Sequence, residues 1–371
     1  MVSHFRCIGV VVFMMCAGVC RAQDDDPEIR GKKLSEWVRL LRNDPEIRNR
    51  NIAVVALDIL SAKSKSVLPV FLKESRDNRE DVIRARCIEL LPKFKDQADR
   101  IAETIAAAIK EDKSEKVRAA AARSAARVDT GNYPTVIPNL IDALKDASTQ
   151  VRNHATESLA LISRNDAVLT KDAVPNLIAC LKDMDDSVRR EAAFALGRMA
   201  TVAESAVVPL ASVAVSDSSN VVRKEAAKTL GAIGKKAEAA AADLSKALQD
   251  KDVDVRIQAA ASLGQIGPGA AGALPELIKA VKDKDKAVRC EAIHTLGRLG
   301  KNALTAIPEL LKVLKDEEVP EVRLAAIQEL GEFGPDAKQA VEALTIASRD
   351  GRPALREAAQ EALKKIQKPK D

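Results

Sequence analysis

An arginine returns every 33 or 34 residues, and once after 37, along this 371-residue chain, and only a fold with a matching physical repeat satisfies that spacing. The ten anchors are Arg50, Arg84, Arg118, Arg152, Arg189, Arg223, Arg256, Arg289, Arg323 and Arg356. Their separations are 34, 34, 34, 37, 34, 33, 33, 34 and 33 residues. Residues 188–197, 222–231, 255–264, 288–297 and 322–331 share one pattern, Val-Arg at the start and Leu-Gly at the end. Residues 31–371 are therefore expected to form one tandem array.

Each unit decodes as two helices. Aromatic residues make up 2% of the chain and charged residues 30%, a balance rich in helix formers and poor in strand formers. The second helix begins near the anchor, with an N-cap type four residues before it in Ser114, Ser148, Asp185, Ser219, Asp252 and Asp285. Pro320 and Pro353 fall at the first helical position, where a missing N–H costs nothing. Apolar residues recur at −1, +3, +7 and +10 from the anchor, as in Val255, Ala259, Leu263 and Ile266, the buried stripe of an amphipathic helix. Gly234, Gly267, Gly300 and Gly334 then mark its end. The first helix carries the partner stripe, for example Leu274, Leu277, Ile278 and Val281.

Neither helix buries its stripe alone, so the units must stack. The expected fold is all-α: a solenoid, a right-handed superhelical stack of about ten two-helix repeats. At a helix spacing of roughly 8–10 Å, ten units give a curved rod on the order of 100 Å long.

The anchor is arginine in all ten units and never lysine. In the first turn of a helix, a cation opposes the helix dipole at about 0.3–1 kcal/mol. Something must offset that. Six residues earlier stand Asp44, Asp112, Asp146, Asp183, Asp217, Asp250, Asp283 and Asp350, with Asn78 and Glu317 in the other two units. A planar guanidinium grips a carboxylate or turn carbonyls with two parallel hydrogen bonds, which an ammonium cannot do. The pattern D-x5-R is thus expected to be a structural ladder tying each turn to its own and the next repeat. It is not a phosphate-binding stripe, because nine of the ten arginines arrive with a carboxylate.

Residues 1–22 have the pattern of an export signal. Arg6 precedes the uncharged, mostly apolar residues 7–20, and Cys20-Arg21-Ala22 places small residues at −3 and −1. Fourteen residues fall short of the roughly 20 needed to span a bilayer, and no later segment is apolar enough to do so. Cleavage after Ala22 would leave an acidic linker at 23–30; the alternative is an uncleaved N-terminal anchor. The expected location is the periplasm or the extracellular space. Of six cysteines, Cys87, Cys180 and Cys290 would remain. They sit on different repeats and cannot form a disulfide framework. Cys87 and Cys180 are expected to be buried, and Cys290 accessible.

The unit D-x-D-x-x-V-R-x-x-A-x-x-x-L-G-x-I-G, seen at residues 250–267, resembles the short HEAT-like repeat of the phycobilisome-lyase type. Tetratricopeptide repeats need Trp, Tyr and Phe positions, and ankyrin repeats need T-P-L-H-x-A; both patterns are absent. The segment Leu34-Ser35-Glu36-Trp37-Val38 looks like a capping helix with a packed tryptophan. The resemblance brings two enzyme types into view. Hydroxylases of this fold build a di-iron site from adjacent His-Glu pairs, whereas only His154 and His294 follow the signal and neither precedes Glu. The single pair Glu291-x-x-His294 falls short of a bundle di-iron set. Bilin lyases act inside cells, at odds with an export signal. No nucleophile elbow or phosphate loop appears. With opposite charges interleaved and stacking aromatics nearly absent, nucleic-acid binding also lacks its driving terms.

On the second helix, positions +2, +5 and +9 lie together, opposite the buried stripe, and in HEAT-like arrays this helix lines the concave side. The residues there nominate a partner surface: His154; Glu191, Phe194 and Arg198; Glu225 and Lys228; Glu291, His294 and Arg298. Phe194 stands out, since its equivalents from the Arg84 unit onward are polar or alanine and an exposed aromatic is a common hot-spot anchor. The three extra residues around 164–171 add a loop where arrays often bind. The expected function is an exported, non-enzymatic scaffold that binds a protein across this face. It would have no cofactor, metal, nucleic acid or small-molecule ligand. The alternatives are an accessory subunit or enzyme of the lyase or hydroxylase type, and a purely structural envelope spacer.

Overall fold

The computed structural model describes residues 26–368. The signal-like segment 1–22 lies outside them. Among the described residues there are twenty α-helices, eight short 3₁₀ segments and one two-stranded hairpin, and the chain is an all-α solenoid. It divides into two compact units between Phe71 and Leu72.

The first unit opens with a hairpin. Glu28–Ile29 pairs antiparallel with Lys32–Lys33, in part of the stretch expected as a linker. Arg30 and Gly31 both take positive φ, 51° and 73°, as the tightest right-twisting hairpin turn requires. The helix Leu34–Asn43 follows directly. Its Trp37 is buried, its indole N–H donates to the carbonyl of Ile29 at 3.2 Å, and the Lys32 ammonium lies 5.9 Å from the ring centroid. In the second helix, Ile47–Leu60, the side chains of Ala53, Val54, Leu57 and Leu60 are fully buried or nearly so.

In the second unit, helix pairs follow one another with a fixed register. The pair Ala241–Ala247 and Val253–Ile266 shows the logic. Val255, Ala259 and Leu263 have no exposed surface and Ile266 has 1%. Burial of a leucine of this kind contributes about 1.5–3 kcal/mol. The N-cap positions fall where the sequence places them, but only the aspartates cap through their side chains. Asp252 Oδ1 accepts from the backbone N–H groups of Asp254 and Val255 at 3.0 and 3.2 Å. Ser114 instead donates its hydroxyl to Asp81 of the preceding repeat at 2.9 Å.

The end of the second helix is a glycine requirement. Gly234, Gly267 and Gly300 have φ of 67°, 76° and 58° with ψ of −137°, −141° and −129°. This is a mirror-extended conformation open to glycine rather than the left-handed helical one. It aims the chain into a 3₁₀ segment, such as Gly267–Ala273, that leads into the next pair. From Glu115–Ala125 to Pro320–Glu332, each second helix packs on the second helices before and after it as well as on its own partner.

Candidate functional site

The arginine ladder is built from three hydrogen-bond sets that recur with the repeat. Arg256 Nη1 donates to the main-chain carbonyl of Asp250, six residues back, at 2.9 Å. Its Nε and Nη2 donate to the two carboxylate oxygens of Asp283, in the following repeat, at 2.8 and 2.9 Å. Asp283 Oδ1 also accepts from the backbone N–H of Asp285 at 2.8 Å, closing the turn before the next helix. One aspartate thus offers its carbonyl to its own arginine and its carboxylate to the preceding one. The guanidinium sits on turn carbonyls and a full carboxylate, and their negative charge offsets the helix dipole that opposes it.

The same bidentate clasp joins Arg84 to Asp112, Arg118 to Asp146, Arg152 to Asp183, Arg189 to Asp217 and Arg223 to Asp250, all with Nε–Oδ2 distances of 2.7 or 2.8 Å. Glu317 substitutes at the next joint, 2.9 Å from Arg289. At the last joint Arg352 takes both oxygens of Asp350 at 2.9 Å, and Arg323 stands 3.5 Å away. Arg50 and Arg356 donate to the carbonyls of Asp44 and Asp350 at 2.8 and 3.2 Å. Burial pushes the carboxyls of Asp112, Asp146, Asp183 and Asp250 up. The guanidinium bonds, with the backbone N–H two residues on, outweigh it and hold all four below the ordinary aspartate value.

A second periodic contact, not read from the sequence, lies between successive second helices. The hydroxyl at position +6 donates to the main-chain carbonyl at +4 of the preceding repeat. Ser158 bonds Ala122, Thr229 bonds Ala193, Ser262 bonds Ala227 and Thr295 bonds Ala260, at 2.7–2.8 Å. Glycine at +8 makes room for it in the later repeats, whereas Ala126 stands at the Ser158 joint. A Cβ on Gly197 would meet Thr229 Oγ1 at 2.9 Å, and one on Gly331 would meet the Cα of Ala362 at 2.9 Å. The signal was present as Ser or Thr at +6 and Gly at +8, but its partner is a main-chain atom about 35 residues away.

With structural duties met by the ladder and the glycine slots, the +2, +5 and +9 side chains are left on the outer edge of the second helices. Phe194 is 36% exposed, and the Lys228 ammonium of the next repeat lies 5.8 Å from its ring centroid. Lys228 also pairs with Glu225 at 3.2 Å, so Phe194, Glu225 and Lys228 form one cluster. Glu191 pairs with its neighbour Arg190. Arg298 donates to Glu291 at 2.9 Å, with its stem laid over Gly264. His154 pairs with Glu157 at 3.2 Å within its own helix. His294 pairs with Glu329 of the next repeat at 2.8 Å. Arg198 follows Phe194 at the end of the helix Asp186–Arg198.

The same frame exposes apolar residues that the sequence reading passed over. Ile52, Val55 and Ile59, at +2, +5 and +9 of the Arg50 unit, are 40–45% exposed, and Leu161, at +9 of the Arg152 unit, is 47% exposed. The longer spacing between Arg152 and Arg189 is taken up by the 17-residue helix Thr149–Asn165 and a turn in which Asp166 accepts from the backbone of Val168. Val168 and Leu169 are exposed there. On the first-helix side, Ile178, Met184, Val208 and Val213 line a groove of about 700 Å³, with the Met184 side chain almost wholly in solvent.

Cys87 and Cys180 are buried and Cys290 is half-buried. Burial pushes all three thiols up, Cys180 to about 11. Among the described residues no cluster of three or more His, Cys, Asp or Glu could hold a metal ion. No helix among them is long and apolar enough to cross a membrane.

The profile of HEAT repeats matches residues 68–160, 174–261, 241–318 and 307–371. The chain belongs to the HEAT-repeat family. This HEAT-repeat chain superposes on an engineered protein of known crystal structure with a TM-score of 0.59 at 21% identity, covering 90% of this chain and 99% of that one. Against importin β crystallised in ammonium sulfate the TM-score is 0.60 at 15% identity, over 90% of this chain and 50% of that one. Against Kap121p bound to RanGTP it is 0.54 at 17% identity, over 89% and 44%. The chain thus spans about half the length of the importin β and Kap121p chains, and the likeness is one of fold. No curated protein matches the sequence.

Proposed function

We propose that this chain is an exported, non-catalytic scaffold that binds a partner protein on the second-helix face around Phe194. One observation carries the reading. Phe194 is a part-exposed aromatic ring, flanked by Lys228 and Glu225, on a face whose structural bonds are made elsewhere. An aromatic with a cation at its face is a common energetic centre of protein contacts. The exposed Leu161, at +9 of the preceding repeat, extends the same kind of surface. A solenoid of similar fold, Kap121p, carries bound RanGTP, so a HEAT stack of this form is compatible with protein binding. Export rests on residues 1–22, and the kinship to short lyase-type repeats rests on the unit at residues 250–267.

The test is a pull-down from envelope extracts with the chain lacking residues 1–22. Phe194→Ala is expected to lose the partner while its far-ultraviolet circular dichroism stays that of the parent. If Phe194→Ala, Arg198→Ala and His294→Ala all retain whatever the parent retains, the chain is a spacer with no hot spot on this face. Recovery of the native protein from the cytosol with residues 1–22 still attached would overturn export.

A further inference from the structure

At one of the joints that lack the inter-repeat hydroxyl bond, two ionisable groups meet instead. In the Arg323 repeat, position +6 is Glu329 rather than Ser or Thr. Its carboxylate lies over Gly297, where a Cβ would come within 1.6 Å of Oε2, so the glycine slot is filled by the acid. The acid has no proton to give to a main-chain carbonyl, and its Oε1 lies 2.8 Å from Nδ1 of His294 on the helix Lys286–Leu299. Glu329 is 14% exposed at its side chain and His294 36%, so water screens the pair only in part. We propose that the joint between the Arg289 and Arg323 repeats is a pH-sensitive clasp, closed when His294 is protonated and weakened when it is neutral.

The surrounding groups favour that response. Glu291, on the same helix as His294, adds negative charge, while Arg298 adds positive charge and is itself engaged by Glu291 at 2.9 Å. The preceding second helix, Val253–Ile266, presents the neutral Gln258 and Gln265 at the corresponding positions. On the far side, Lys365 lies near Glu329 and is tied to Glu332 at 2.7 Å. The hydrogen bond to Glu329 raises His294 above the ordinary histidine value of 6.5, burial opposes it, and the charges of Glu329 and Glu291 add to the rise. A raised folded value gives a stabilisation that is full below about pH 6.5 and is lost as pH rises through the folded midpoint. The hydroxyl-to-carbonyl joints, such as Thr295 to Ala260, carry no such dependence.

Two measurements on the full chain test this. The His294 ring, followed by NMR, is expected to titrate above 6.5 in the parent and at least half a pH unit lower in Glu329→Gln. Amide exchange over residues 286–299 and 320–332, corrected for the intrinsic pH effect, is expected to show protection that falls between pH 6 and 8.5. In Glu329→Thr, which restores a hydroxyl at +6, that protection should not change with pH. His294→Gln covers the case in which a Glu329 variant fails to fold, and it should also abolish the dependence. An unchanged His294 midpoint in Glu329→Gln, or the same pH profile of protection in His294→Gln as in the parent, would overturn the proposal.

Discussion

Removal of the Asp250 carboxylate tests the ladder most directly. Asp250 accepts from Arg223 Nε and Nη2 at 2.7 and 2.8 Å and from the backbone N–H of Asp252 at 2.8 Å. The Arg223 side chain is 4% exposed and that of Asp250 8%. Surface ion pairs contribute about 0–1 kcal/mol, but loss of one partner of a buried pair strands the other charge and costs about 3–5 kcal/mol. Asp250→Ala is therefore expected to cost about 3–5 kcal/mol at neutral pH. Asp250→Asn should cost less, because its carbonyl still accepts from Asp252. Arg223→Met combined with Asp250→Leu should recover much of the loss, since no buried charge is left alone.

In a repeat stack the damage falls on one interface, so urea unfolding should broaden or split, and amide exchange should rise first around residues 217–252. Acid offers an independent check. Burial raises Asp250 and the Arg223 bonds more than offset it, leaving its folded value below the ordinary 3.8. The ladder's contribution is thus complete above about pH 4 and is lost as pH falls through the depressed folded values. A cost below about 1 kcal/mol for Asp250→Ala would reduce the clasp to a solvent-screened surface pair and refute the reasoning.

The glycine slots and the thiols give two further outcomes. Gly331→Ala, whose new Cβ would strike the Ala362 backbone, is expected to cost about 1–3 kcal/mol by thermal or urea unfolding. Gly272→Ala, with nothing within 4 Å and no positive φ, should be neutral or stabilising by about 0.4–1 kcal/mol. In native protein at pH 8, an alkylating reagent is expected to label Cys290 well before Cys87 or Cys180, as mass spectrometry of digested protein would show. Early labelling of Cys87 would mean that its repeat opens far more readily than its complete burial implies.

The sequence by itself determined the period, the helix pairing and the positions of the turns, because each depends on neighbours within a few residues. The buried stripe Val255, Ala259, Leu263 and Ile266 needs only the geometry of one helix, and the prolines and glycines punctuate locally. The sequence also placed arginine and aspartate together at eight of the ten turns. Tertiary structure alone decided how the two divide the work. Arg256 has one carboxylate six residues behind it and another 27 residues ahead, and stacking brings the second within 2.8 Å while leaving the first only its carbonyl to offer. The same holds for the hydroxyl at +6 and the glycine at +8. The hydroxyl's partner is a main-chain carbonyl of the preceding repeat and the glycine's neighbours lie in the following one, both outside any local pattern. Phe194, Leu161 and Ile52 occupy the same class of position as buried or charged residues elsewhere, so their exposure depends on the packing distance between helices. That distance is set by contacts about 35 residues apart along the chain, beyond the reach of a local pattern.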